Sequence, residues 1–198
     1  MVERQKKNTD MFQEFFTNCD HILNYMTTLL DLQENQELLE PCAGHGAFID
    51  RLLEKNKKIK IDAYDLNSEN VEILKTKYSE LNIKVEHLDF LLHENYNKKY
   101  DRILANPPYG AFQTEEKRSF LKKIYPDLYA KETYGIFLIH SLSMLKDNGR
   151  LVFIIPDTFL NLHMHKGLRL RLLREYSIES LTLFPSNYFP GVNFGYAG

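Results

Sequence analysis

Cysteine is nearly missing from this chain of 198 residues. Cys19 and Cys42 are too few and too far apart for a disulfide framework or a cysteine-based metal motif. A basic surplus is missing as well. Lys and Arg number 25 against 27 Asp and Glu, for a formal charge of −2, so the overall footprint usual in a nucleic-acid binder is not there. No apolar run reaches the length needed to cross a bilayer. The polar start Met1-Val2-Glu3-Arg4-Gln5-Lys6-Lys7 holds no apolar signal core. A cytoplasmic protein without a membrane partner is the expectation. Repeats, low-complexity tracts and linkers are absent too, so no internal boundary can be argued and 1–198 reads as one domain. What is present is a composition 43% hydrophobic and 26% charged, enough apolar material for a full core.

The apolar residues alternate between helical and strand spacing. Ile22, Leu23, Met26, Leu29 and Leu30 predict a helix from about Asp20 to Leu32, capped by Asn18 or Asp20. Strands are expected at Gln36–Glu40, Ile59–Tyr64, Ile83–His87, Tyr100–Ala105, Arg150–Ile155 and Ile178–Phe184. Helices are expected through about Glu54, over Ser68–Leu81, over Glu132–Leu145 with Asn148-Gly149 as its stop, and over Gly167–Tyr176. Tyr109–Tyr125 is polar and mixed, a loop with a short helix. Strands alternating with helices predict an α/β, doubly wound, mostly parallel sheet.

The ends of those strands carry the chemistry. Pro41-Cys42-Ala43-Gly44-His45-Gly46 follows the first strand and opens a helix, where a nucleotide can approach the backbone. The dinucleotide fingerprint wants a third glycine, and Ile49 stands there, which weakens a dehydrogenase reading. Asp65 ends the second strand, 21 residues after Gly44, close to the offset of a ribose-binding carboxylate. Asp89 ends the third, with Phe90 beside it to bind and stack an adenine. The fourth stops at Asn106-Pro107-Pro108-Tyr109, because two prolines cannot continue a central strand. That rigid turn offers the Asn106 amide and the Pro107 carbonyl as acceptors for one exocyclic amino group, and Tyr109 as a ring to stack on it. This is what a nitrogen methyltransferase needs.

In this order, Glu40-Pro41-Cys42-Ala43-Gly44-His45-Gly46-Ala47-Phe48, Asp65, Asp89-Phe90 and Asn106-Pro107-Pro108-Tyr109-Gly110 resemble the N6-adenine DNA methyltransferases of restriction–modification systems. The likeness is to the gamma class, whose catalytic domain precedes the target-recognition domain. It continues in Tyr134-Gly135-Ile136-Phe137-Leu138, in Leu145 to Pro156 and in Phe189-Pro190. The resemblance implies a Rossmann-like methyltransferase fold with S-adenosylmethionine as methyl donor. It also implies cofactor contacts from Thr17, Glu40, Ala43, Gly44, Gly46, Asp65, Asp89, Phe90, Asn106 and Phe137. Asn106, Pro107, Pro108 and Tyr109 would be catalytic, and Tyr109 and Phe189 would sandwich an adenine flipped out of DNA. The family's usual Thr-Pro before the first helix is Thr17-Asn18 here. By the same likeness the chain reads as a catalytic fragment that binds DNA weakly, with recognition left to a missing domain or subunit.

Three other readings bear on the same residues. A protein-glutamine N5-methyltransferase shares the Asn-Pro-Pro-Tyr turn, but usually has a more acidic, Gly-rich first motif and a helical N-terminal domain. A non-catalytic S-adenosylmethionine-binding subunit would not need Asn106 and Tyr109 intact. A cysteine nucleophile for cytosine C5 is rejected, because Cys42 lies in the cofactor loop. No metal is expected, His163-Met164-His165 having no ligand partners nearby in sequence. The basic stretch His163, His165, Lys166, Arg169, Arg171 and Arg174 is a candidate phosphate contact, or else a solvated helix face.

Overall fold

The computed structural model describes residues 19–93, 97–109 and 113–184. Thr17, Asn18, Gly110 and Phe189, named above, lie outside them. Leu38 and Leu39 are consecutive and both fully buried. Strand β1 (Glu37–Glu40) therefore shows an apolar side chain to each face, as a central parallel strand must. Around it lie β2 (Lys60–Asp65), β3 (Ile83–His87), β4 (Tyr100–Ala105) and β5 (Leu145–Phe153). The order is β3-β2-β1-β4-β5, and every neighbouring pair is parallel.

Helices cover both faces. On one, Leu38, Ile61, Ala63 and Leu104 join Ile22 of α1 (Asp20–Leu30), Ile49 of α2 (Ala47–Lys55) and Leu74 of α3 (Ser68–Lys77) in one apolar cluster. On the other, Leu39, Tyr64 and Ile103 join Leu121 of α4 (Glu115–Ile124) and Ile136 of α5 (Tyr134–Ser143). Phe159 of the short α6 (Thr158–Asn161) and Leu168 of α7 (Lys166–Glu175) complete that side. This is the doubly wound, Rossmann-like arrangement. Its strand order reverses at β1, which has β2 on one side and β4 on the other. In open α/β sheets ligands bind at the carboxyl ends of the strands beside such a reversal, which here lies between the loops leaving β1 and β4.

The structure corrects several expectations. Residues 178–184 enter no ladder. Their polar and aromatic groups lean on α1 instead: Thr182 Oγ1 lies 2.6 Å from Tyr25 Oη, and the Phe184 ring meets Tyr25 edge-on at 5.8 Å. Asn148-Gly149 does not stop a helix, because α5 ends at Ser143. Asn148 adopts φ 61 near the start of β5, where the register with β4 shifts, so the pair makes a strand irregularity. At the head of α1, Cys19 holds the cap position without a side-chain bond, and Asp20 pairs with Arg51 of α2 instead. Helix α3 stops at Lys77 rather than Leu81, and Tyr78 turns toward the loop after β1. No helix among the described residues is long and apolar enough to cross a membrane.

Candidate active site

The loop after β1 is clamped from two sides. Gly44 and Gly46 adopt φ 53 and 79, a region that side chains other than glycine's enter at a cost. The Ala43 N–H donates to Tyr64 O at 2.9 Å, the Gly44 N–H to Asp65 Oδ2 at 2.7 Å and the Gly46 N–H to Ala43 O at 2.8 Å. From the end of α3, Tyr78 Oη lies 3.1 Å from Gly46 O and 2.9 Å from Asp50 Oδ1. Asp65 also accepts from the Asn67 N–H at 2.8 Å and from Asn70 Nδ2 at 3.3 Å. Its first task is thus to hold the loop, in addition to any ligand it takes.

Glu40, at the end of β1, is 1% exposed, and its Oε2 finds no hydrogen-bond partner among the described residues. Burial, helped by the nearby Asp65 and Asp50, pushes its carboxyl well above the usual carboxylate range. These facts discriminate between ligands. A pyrophosphate needs free N–H groups and no neighbouring carboxylates; here three loop N–H groups are occupied and two acidic side chains stand behind them. A ligand with positive charge at the loop finds a buried carboxyl to meet it.

At the far corner, Asp89 accepts from the Leu91 N–H at 3.2 Å and pairs with Lys117 of α4 at 2.5 Å. Phe90 is only 2% exposed. Its ring packs 4.8 Å from that of Phe137 and 4.6 Å from that of His140, so Phe90 floors this corner rather than offering an open face. Burial keeps His140 neutral, its pKa lowered to about 4. Leu66, next to Asp65, is 46% exposed, an apolar side chain on the rim of the same edge.

The turn after β4 faces the loop after β1. The Cys42 thiol donates to Asn106 O at 3.3 Å, which joins the two across the crevice. Burial, with Glu40 and Asp65 close by, raises the Cys42 pKa well above its ordinary value, so it is a thiol and not a thiolate nucleophile. Tyr109 Oη sits 2.5 Å from Asn106 Oδ1 and 2.7 Å from Ile154 O. The Tyr134 ring meets that of Tyr109 at 6.4 Å, tilted by 69°.

The structure therefore brings Glu40, Ala43, Gly44, Gly46, Asp65, Asn106 and Tyr109 to one crevice, with Asp89, Phe90 and Phe137 along its β3 side. Lys117, Leu66 and Tyr78 escaped the reading of the sequence. An apolar residue straight after a strand-end acid was the only local signal among them. The basic stretch divides in two. His165 is buried, 2.8 Å from Tyr134 Oη and 3.2 Å from Glu132. Arg169 donates to the Phe159 and Leu162 carbonyls, and Arg171 lies beside Asp127 and Glu175. These three groups serve the fold, whereas His163, Lys166 and Arg174 are exposed.

Comparison with known proteins bears on this arrangement. The family described as Eco57I restriction-modification methylase matches residues 25–189. The type II methyltransferase M.AccI of Acinetobacter calcoaceticus is 31% identical over 188 residues, which is 92% of this chain and 33% of that protein. M.HincII of Haemophilus influenzae is 32% identical, over 91% of this chain and 35% of its own length. The chain thus spans about a third of these relatives. Among solved structures, a putative class I S-adenosylmethionine-dependent methyltransferase of Listeria monocytogenes superposes with a TM-score of 0.67 at 13% identity, over 85% of this chain and 54% of its own. An S-adenosylmethionine-dependent O-methyltransferase of Thermotoga maritima gives 0.54 at 14% identity, over 78% and 49%.

Proposed function

The chain belongs to the Eco57I restriction-modification methylase family, and from that premise we propose that it methylates the N6 amino group of adenine in DNA as part of a restriction–modification system. The observation that carries the proposal is the contact between Cys42 and Asn106. It sets the loop suited to a cationic cofactor against the turn suited to an amine.

S-adenosylmethionine is the cofactor, and when bound it supplies an electrophilic methyl group on a positively charged sulfur. Glu40, Ala43, Gly44 and Gly46 take its methionine end, Asp65 the ribose, and Asp89 the adenine over the floor of Phe90 and Phe137. Asn106 Oδ1 and the Pro107 carbonyl accept the two protons of the substrate amine. An amine whose lone pair is delocalised into a ring is a poor nucleophile. Two acceptors favour its pyramidal form and stabilise the positive charge that grows on nitrogen. Pro108 stiffens the turn, and direct in-line transfer depends on that rigidity. A base inside a duplex is out of reach, so the adenine is flipped and stacked on Tyr109. Thr17 and Phe189, outside the described residues, keep the roles that the resemblance gives them. Incubation with methyl-tritiated cofactor and unmethylated DNA tests the proposal: label in DNA is expected, and label only in protein would overturn it.

Two further results are expected at the cofactor. Asp65→Ala removes both a ligand contact and the clamp on Gly44, and is expected to weaken S-adenosylmethionine binding by ~1.5–3 kcal/mol. Calorimetry measures it, and unchanged affinity would leave Asp65 as a turn residue. Glu40 gives a proton-linked signature. A carboxyl whose pKa is raised in the fold stabilises the protein below its ordinary pKa, and that stability is lost as pH rises through the raised value. Positive charge brought beside it favours the ionised form. Cofactor binding at mildly acidic pH is therefore expected to release a proton, seen as a binding enthalpy that differs between buffers of different ionisation enthalpy. In Glu40→Gln the buffer dependence disappears and binding weakens. Equal wild-type enthalpies in all buffers would contradict the assignment.

A further inference from the structure

The Tyr109 hydroxyl has one proton and faces two oxygens that both want it, Asn106 Oδ1 at 2.5 Å and Ile154 O at 2.7 Å. The two residues are placed by the strands they follow. Asn106 directly follows β4, and Ile154 directly follows β5, where its N–H donates to Ala105 O at 3.1 Å and its side chain is 8% exposed. The phenol is fixed as well. Its ring rests on Tyr134, whose own hydroxyl lies 2.8 Å from His165 Nε2 and 3.4 Å from Thr158 Oγ1. Burial, with Cys42 and Tyr134 beside it, raises the Tyr109 pKa well above its ordinary value. The group is a hydroxyl donor at every working pH.

Resting on the assignment of Asn106 as the amine acceptor, we propose that the Tyr109 hydroxyl is a positioning group that orients the Asn106 carboxamide and hands over its oxygen when the substrate amine arrives. With no amine present, the phenol proton is shared with Oδ1. A hydroxyl proton bonds to the amide oxygen and not to the amide NH2, so this contact keeps Oδ1 turned to the crevice side of the phenol. When an amine N–H reaches Oδ1, the phenol proton goes wholly to Ile154 O. No bond is made or broken beyond these hydrogen bonds, and every oxygen has a donor before and after. The second acceptor matters because leaving a buried polar group without a partner would oppose binding of the amine. Tyr109 thereby serves the reaction twice, with its ring on the base and its hydroxyl on the residue that holds the base's amine.

Tyr109→Phe separates the two roles, since it keeps the ring and removes the proton. Single-turnover methylation of DNA at saturating cofactor is expected to slow about tenfold or more, the loss of one hydrogen bond's worth of orientation. DNA affinity and cofactor affinity are expected to stay within about twofold, because the ring and the cofactor loop are untouched. A second readout needs no turnover. The side-chain amide resonances of Asn106, identified by their loss in Asn106→Asp, are expected to shift and to lose their dispersion in Tyr109→Phe. A wild-type rate in Tyr109→Phe overturns the proposal, as does a loss carried wholly by DNA affinity, or an unmoved Asn106 resonance. If the wild-type chain transfers no methyl group to DNA, the proposed function fails. The amide resonance then still decides whether the hydroxyl orients Asn106.

Discussion

Asn106→Ala is expected to lower methyl transfer by about 10²–10³-fold or more, the scale seen when one preorganised polar group is removed from a transition state, while S-adenosylmethionine binding stays nearly intact. The separation follows from position. Asn106 begins the turn after β4, and its backbone carbonyl meets the Cys42 thiol at 3.3 Å. The alanine variant keeps that carbonyl, so the cofactor loop stays in place. What it loses is the carboxamide oxygen that holds one amine proton, and with it a partner for the Tyr109 hydroxyl. The Pro107 carbonyl alone leaves the amine free to rotate back into conjugation with its ring. Paired measurements check this, calorimetry for the cofactor and single-turnover rates for transfer. A variant with wild-type rate would remove Asn106 from the chemistry. A variant that binds no cofactor would mean that the turn supports the loop instead.

Gly46→Ala is expected to be strongly damaging, because one added methyl group meets both backbone strain and a filled space. At φ 79, a Cβ on residue 46 would lie 2.3 Å from Tyr78 Oη and 2.9 Å from Leu74 Cδ2. Tyr78 is 3% exposed and Leu74 is fully buried, so neither yields easily. Left-handed backbone costs roughly 1–2 kcal/mol for a residue with a Cβ, and overpacking a core adds about 1–3 kcal/mol. The expected loss is therefore about 2–5 kcal/mol, read as a lower midpoint in urea denaturation, with cofactor affinity falling alongside. Tyr78→Phe removes the nearest atom and is expected to restore part of the stability lost in Gly46→Ala. An alanine variant with unchanged midpoint and affinity would mean that the loop is not held by α3.

Local sequence carried much of this design. Ile83–His87 and Tyr100–Ala105 form strands as predicted, the first from its alternating pattern and the second from an apolar run that two prolines cut off. Asp65 at the end of β2, Asp89 after β3 and Asn106-Pro107-Pro108 after β4 put side chains at the carboxyl edge, so that edge was legible in the sequence. What escaped depends on contacts between distant segments. Lys117 reaches Asp89 from 28 residues away, and Tyr78 reaches Gly46 from 32. No spacing rule announces either. The apolar alternation over Ile178–Phe184 looks like a strand, but Ile178, Leu181 and Leu183 are exposed and only Thr182 and Phe184 meet Tyr25 of α1. Three of the basic residues near α7, His165, Arg169 and Arg171, look like part of an anion-binding face because sequence does not reveal that Glu132, Asp127 and nearby carbonyls are waiting for them.

The central claim is that the turn after β4 holds the exocyclic amine of adenine. The most direct measurement is to methylate unmodified DNA with isotope-labelled S-adenosylmethionine, digest the product to nucleosides and identify the labelled one by mass and chromatography. The account expects label in the deoxy form of N6-methyladenosine alone, formed about 10²–10³-fold more slowly or slower still when Asn106→Ala replaces the wild type. Label on a cytosine, or on a protein glutamine with unlabelled DNA, would contradict it.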